Sequence, residues 1–223
     1  MTLDCDFCAE FLGGSKLRTI LESPMTLVLA SLGSFVEGYC LVLPRRHVVA
    51  VRDLTMVEWD DMVSVVESLL PVVQQMYGSY IVAEHGCGTE DRGAACCDHA
   101  HLHLIPVPTP RDVLKENVRL GGPGVPLDLS VLPPPHLFPD SPYIWLYSMD
   151  TGSWCWPAKR FPRQHVRRVA AAAHGLEAQY NWRRFPFRLT MTATAAKVRL
   201  GLLNRDLAVD PPVTRSEHQR CSG

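Results

Sequence analysis

The stretch His99-Ala100-His101-Leu102-His103-Leu104-Ile105 constrains this 223-residue chain more than any other feature. Three histidines alternate with apolar residues, and successive side chains of a β-strand point to opposite faces. The three imidazoles therefore share one face, while Ala100, Leu102 and Leu104 turn to the other and can pack into a core. A row of imidazoles can hold a phosphoryl group, attack it and orient the attacker. A metal patch or a structural cluster of satisfied histidines would use the same residues. A tag-like accident fits poorly, because the motif is internal and its spacers are apolar.

The flanking sequence sets this strand in an α+β fold. Thr26–Ala30 and Gly38–Leu43 read as strands around the turn-rich Gly33-Ser34, the second ending at Pro44 and the basic loop Arg45-Arg46-His47. Thr55, with Glu58 three residues on, has the pattern of a capping box. An apolar stripe at Val57, Met62, Val65, Val66, Leu69, Val73 and Met76 predicts a helix to about Met76, which Pro71 should bend or break. Tyr80–Glu84 reads as a strand, Gly86–Cys97 as a loop with three glycines, and the histidine strand as running from about Asp98 to Pro106. Strands around one helix, joined by short connections, predict an antiparallel sheet with flanking helices.

Ten of the 18 prolines lie between Pro106 and Pro142. Residues 111–142 therefore read as a Pro-rich linker or covering loop after a core of residues 1–110. Beyond it, Tyr143–Ser148 reads as a strand and Asp150-Thr151-Gly152 as a turn. Arg163–Tyr180 reads as a helix broken or capped at Gly175, and Thr190–Leu203 as a last helix. Together, 143–205 make a C-terminal α/β extension, and 206–223, with Pro211-Pro212, a flexible tail. Charge divides along the same line. Residues 1–158 hold 9 Lys and Arg against 19 Asp and Glu, whereas residues 159–205 hold 11 against the single acid Glu177. The basic part is expected to dock on the acidic part, to meet an anion, or both.

No basic-then-apolar leader opens the sequence and no apolar run reaches membrane-spanning length, so a cytoplasmic protein with no membrane partner is expected. Eight cysteines without a secretion signal then predict reduced thiols, some on metal.

The motif His99–Pro106, with Leu41-Val42-Leu43-Pro44-Arg45-Arg46-His47, resembles the histidine triad (HIT) superfamily of nucleotide hydrolases and transferases over about residues 3–110. The resemblance implies attack by the middle histidine, His101, on the α-phosphorus of a nucleotide conjugate, giving a nucleotidyl-histidine. His103 would contact the phosphate, stabilising charge or protonating the leaving group. Some HIT proteins and the related galactose-1-phosphate uridylyltransferases hold a structural Zn2+ on a set that Cys5, Cys8, His47 and His99 match. Two thiolates and two imidazoles make an ordinary closed tetrahedral site, although a Cys-x-x-Cys alone is also a chance spacing or a redox pair.

Several positions depart from the family pattern. Gly93-Ala94-Ala95-Cys96 stands where many members place a small hydroxyl or amide residue on the phosphate, which leaves Gly93 and Cys96, or the loop amides, for that contact. Glu84-His85 stands near a family asparagine, and no acid occupies the ribose-binding position near Ser31-Leu32. Arg163, Arg167 and Arg168 fall near one face of a predicted helix, from which they could reach over the pocket and grip a polyphosphate or an acidic leaving group. Asn181-Trp182-Arg183 resembles the ends of some bacterial HIT-like extensions, and Trp182 could stack on a base or pack against an arginine.

The resulting expectation is a HIT-like nucleotide phosphohydrolase working through nucleotidyl-His101, with a nucleotide conjugate as partner. A nucleotidyltransferase using a non-water acceptor and a non-catalytic nucleotide-binding module remain as alternatives. Nucleic acid is not expected as a partner, since the chain lacks a zinc finger or stacked-aromatic platform. The resemblance implies a homodimer.

Overall fold

The computed structural model describes residues 5–11, 16–88, 99–127 and 132–209. Its frame is one eight-stranded sheet in which every neighbouring pair is antiparallel. The strands are β1 (Thr19–Glu22), β2 (Thr26–Ala30), β3 (Cys40–Pro44), β4 (Tyr80–Gly86), β5 (Leu102–Pro106), β6 (Val125–Pro126), β7 (Tyr143–Ser148) and β8 (Gly152–Pro157). Their order across the sheet is β1-β2-β3-β5-β4-β7-β8-β6. The helices are α1 (Asp6–Phe11), α2 (Met56–Tyr77), α3 (Pro110–Gly121), α4 (His165–Ala173) and α5 (Arg188–Val209).

Burial on both faces explains why β2, β3, β4, β5 and β7 are buried at every position. One face packs Val28, Val42, Leu102 and Leu104 against the stripe of α2 and against Met191, Ala195 and Val198 of α5. The other packs Leu29, Leu41, Ile81 and Ile105 against Val166, Val169 and Ala170 of α4 and Val113 of α3. The alternation of β5 decides which residues go where: Leu102 and Leu104 join the α2 face, and the histidines take the other.

Five sequence expectations change in the structure. The histidine strand begins at Leu102, so His99 and His101 stand just ahead of the regular ladder, and Asp98 lies outside the described residues. Pro71 does not break α2, which runs unbroken over 22 residues. Its ring sits on the exposed side, while buried side chains from Trp59 to Val73 hold the helix to the sheet at both sides of the lost hydrogen bond. The Pro-rich stretch is not wholly irregular, because Pro110 occupies the first turn of α3, where its missing N–H costs nothing. Finally, β7 pairs directly with β4, so the strands of residues 143–157 widen the same sheet. At the C-terminus α5 continues to Val209, and 210–223 lie outside the described residues.

Candidate active site and metal centre

Two clusters of chemistry-bearing side chains meet at the N-terminal end of β5. The first is the triad. His101 Nδ1 lies 2.9 Å from the His99 carbonyl oxygen, and since only an N–H can be shared there, the proton sits on Nδ1 and the lone pair on Nε2. The His101 and His103 rings are 4.6 Å apart, edge to face. His103 Nδ1 meets the Tyr39 hydroxyl at 2.7 Å, and its Nε2 is buried with no hydrogen-bond partner among the described residues. Burial, with the nearby His101, His85 and Arg167, pushes the His103 imidazole well below its usual range, so it works as a neutral ring.

A fourth imidazole stands behind them. His85 lies 5.5 Å from His103, and its Nε2 accepts a hydrogen bond from Val166 N–H at the start of α4. That bond fixes its proton on Nδ1, and burial keeps it neutral. Glu84, one position earlier, points to the opposite face. Its carboxyl accepts from Val51 N–H at 2.8 Å and from the Tyr143 hydroxyl at 2.5 Å.

A cavity of about 410 Å³ opens over the triad. His101 and His103 line it, with Phe7 of α1, Leu41 of β3, and Ser31 and Leu32 after β2. Asp6, Ala9, Glu10, Leu17 and Arg18 add to the N-terminal side, and the opposite wall comes from far along the chain: Arg167, Trp182, Arg188 and Met191. Gly33 (φ +76°) anchors this wall, because its N–H donates to the Pro186 carbonyl and a Cβ there would lie 2.5 Å from Trp182 Cβ. Arg163 falls just ahead of α4, so the three arginines do not share one helix, and of them only Arg167 lines the cavity. Arg168 stacks on Tyr180 at 3.8 Å and donates to the Arg163 carbonyl. Trp182 also pairs with Arg183, whose guanidinium lies 4.4 Å from its ring centre. Gly93 and Cys96 fall outside the described residues.

The second cluster joins Cys5, Cys8, His47 and His99, whose donor atoms all lie within 4.8 Å of one another. Cys5 Sγ is 3.5 Å from His99 Nδ1, Cys8 Sγ is 3.4 Å from His47 Nδ1, and Cys8 Sγ is 3.6 Å from His99 Nδ1. A tetrahedral ion with ordinary metal–thiolate and metal–imidazole bonds sets a sulfur-to-nitrogen edge of about 3.6 Å, so the four donors fit such an ion. His99 Nε2 lies 2.8 Å from the Pro44 carbonyl, which accepts a hydrogen bond from Nε2–H and so leaves Nδ1 as ligand. Burial pushes this imidazole down to about 4, in keeping with a neutral ligand. Cys40, Cys87 and Cys155 are buried thiols elsewhere, and burial pushes Cys40 and Cys155 up to about 12.

The sequence reading missed Tyr39 and gave Ser31 no contact of its own. Tyr39 carried a usable signal: it lies two positions before Leu41, the residue paired with His103, and so shares the triad face.

Residues 15–109 match the model of the HIT domain. The chain is 33% identical over 91 residues to the galactose-1-phosphate uridylyltransferase of Rattus norvegicus, covering 40% of this chain and 24% of that enzyme, so it spans about a quarter of that relative's length. It is 29% identical over 120 residues to an uncharacterised HIT-like protein of Mycobacterium tuberculosis, covering 53% of this chain and 80% of that protein. Similar solved structures include a HIT family protein from Bacillus anthracis, at TM-score 0.41 and 23% identity over 48% of this chain and 74% of that one. A zinc-bound histidine triad family protein from Mycobacterium smegmatis matches at TM-score 0.39 and 24% identity over 47% of this chain and 75% of that one. The residues matched to the HIT domain include Leu41, His101 and His103 of the cavity wall.

Proposed function

We propose that the protein hydrolyses a nucleotide conjugate at its α-phosphate through a nucleotidyl-His101 intermediate. The observation that carries the reading is the hydrogen bond from His101 Nδ1 to the His99 carbonyl, which gives Nε2 the lone pair at a cavity-lining ring. That lone pair forms the bond to phosphorus as the bond from phosphorus to the leaving oxygen or nitrogen breaks, and the leaving group takes the electron pair. Water then displaces Nε2 and a nucleoside monophosphate departs. With the Tyr39 hydroxyl donating to Nδ1, His103 presents Nε2–H as a neutral donor to a phosphate oxygen, which supplies the partner that this atom lacks among the described residues. Arg167 adds positive charge and Trp182 an aromatic wall for the nucleotide.

Zinc on Cys5, Cys8, His47 and His99 would be structural, since four protein ligands close its coordination. Its role is to tie α1 to the segment bearing His101. The wall built from Trp182, Arg188 and Met191 favours a second reading, transfer to a non-water acceptor, because a covered cavity limits water.

The test is mass spectrometry of products from wild type and His101→Ala with phosphoramidates, dinucleoside polyphosphates and nucleotide sugars, with and without acceptors. Nucleoside monophosphate from wild type alone supports hydrolysis, and a nucleotidylated acceptor supports transfer. Equal product from both proteins overturns the role of His101. Binding without turnover in either protein supports a binding module instead.

A further inference from the structure

We propose that Arg167 builds a second anion subsite in the triad cavity, so that the substrate is a nucleotide carrying a further phosphate-like group besides the phosphorus at His101. The inference rests on the nucleotide reading above and narrows its substrate class.

Arg167 is 3% exposed, yet it lines the cavity beside His101 and His103. Buried guanidinium groups are ordinarily paired with carboxylates, because removing a cation from water is costly. No carboxylate pairs with Arg167 among the described residues. Its partners are neutral: Nε donates to the Tyr180 carbonyl at 2.8 Å, Nη1 to Ser31 Oγ at 3.2 Å, and Nη2 to the Gly33 carbonyl. Its charge lies 5.0 Å from the Tyr39 ring centre and 5.6 Å from that of Phe35. These dipoles and π faces orient the guanidinium without neutralising it. Three of its five N–H groups are spent, which leaves one on each terminal nitrogen.

The other charges at the cavity do not supply the missing anion. Glu10 is taken by Arg18 at 2.7 Å, Asp6 is an exposed carboxylate at the start of α1, and Arg188 adds a further exposed cation. Arg167 also meets the cavity at a different point from the triad. It lies over the ring of Tyr39, whose hydroxyl end holds His103. One phosphate at His101 and His103 therefore leaves the charge at Arg167 for a second group. A second phosphate on the 5′ chain and a phosphate on the ribose have the same chemistry.

The experiment compares calorimetric affinities of the four nucleoside 5′-monophosphates, 5′-diphosphates and 3′,5′-bisphosphates for wild type, Arg167→Gln, Arg167→Lys and Ser31→Ala. With the preferred base, one of the doubly phosphorylated forms binds wild type at least about 10-fold tighter than the monophosphate. A gain for the diphosphate puts the second anion on the 5′ chain, and a gain for the bisphosphate puts it on the ribose. Arg167→Gln brings that ratio close to one, Arg167→Lys keeps part of it, and Ser31→Ala, which retains the cation, lowers it several-fold. If Arg167→Gln fails to fold, Arg167→Lys and Ser31→Ala decide the matter, since a wild-type ratio that neither variant lowers belongs to another cation such as Arg188 and overturns the subsite. A ratio near one in wild type, or an unchanged ratio in folded Arg167→Gln, overturns the subsite while leaving the nucleotide reading standing. Absence of binding by every nucleotide overturns both.

Discussion

The Tyr39 hydroxyl and Nδ1 of His103 stand 2.7 Å apart in a buried pocket, so a residue on β3's approach sets the ring of a residue on β5. The strand register makes this possible, since Leu41 pairs with His103 and Tyr39 falls two positions earlier on the same face. Removing the hydroxyl should release the His103 ring and its tautomer. Tyr39→Phe is expected to slow single-turnover formation of nucleoside monophosphate by about 10- to 100-fold, the cost of one buried hydrogen bond at about 1–3 kcal/mol. Quenched-flow measurement on a substrate that wild type turns over checks this, and an unchanged rate would remove Tyr39 from the mechanism.

The four-donor cluster makes a prediction independent of catalysis. Elemental analysis of the purified protein should find about one metal ion per chain, and Cys8→Ser should lose most of it. Because an ion would add a bonded link between the N-terminal segment of Cys5 and Cys8, the loop after β3 and the segment before β5, chelation should lower the unfolding temperature by on the order of 10 °C. Metal-free wild type with the same melting curve as untreated protein would reduce the cluster to a packing feature.

How far the sequence carried these features depended on the range of the physics involved. The triad face follows from a period of two within seven residues, and the start of α2 from Thr55 and Glu58, whose reciprocal bonds are both present. Cys5, Cys8, His47 and His99 became legible as a set through family resemblance, since their spacing spans 94 residues. The path of α2 through Pro71 was not legible, because tertiary burial decided it. Helix α3 was hidden by its proline-rich surroundings. Arg167 could be picked out by composition, but its neutral partners Ser31, Gly33 and Tyr180 come from two separate loops, and only the fold brings them together.

Gly33 is where the C-terminal wall is held down. Its backbone is left-handed at φ +76°, and an added Cβ would lie 2.5 Å from Trp182 Cβ and 2.6 Å from Trp182 Cα. Neither backbone nor Cβ of Trp182 can swing aside as a flexible side chain would. Gly33→Ala is therefore expected to cost about 2–3 kcal/mol, combining the left-handed strain with displacement of the wall. Differential scanning calorimetry should show the melting temperature falling by about 5–10 °C. Nucleotide affinity should fall with it, because Arg167 donates to the Gly33 carbonyl.

Glu84 makes stability depend on pH in a direction opposite to an ordinary paired carboxylate. It is fully buried, and burial raises its carboxyl from 4.5 to about 7, a rise only partly opposed by the Tyr143 hydroxyl, Val51 N–H, His101 and Arg52. Between those values the folded state holds a proton that the unfolded chain has lost, so stability falls as pH rises through this window. Below about 4.5 both states are protonated, above about 7 both are ionised, and across the interval the group's contribution drops by about 3 kcal/mol. Glu84→Gln keeps an amide oxygen as acceptor for Val51 N–H and replaces the oxygen that accepts from the Tyr143 hydroxyl with an amide N–H that can donate to it, without a charge to bury. The variant should be more stable than wild type by up to about 3 kcal/mol at pH 8 and nearly equal to it at pH 4.5. Urea unfolding of both proteins across this range measures the difference. A constant offset at all pH values would mean that Glu84 is ionised throughout, held so by Arg52 and the surrounding donors.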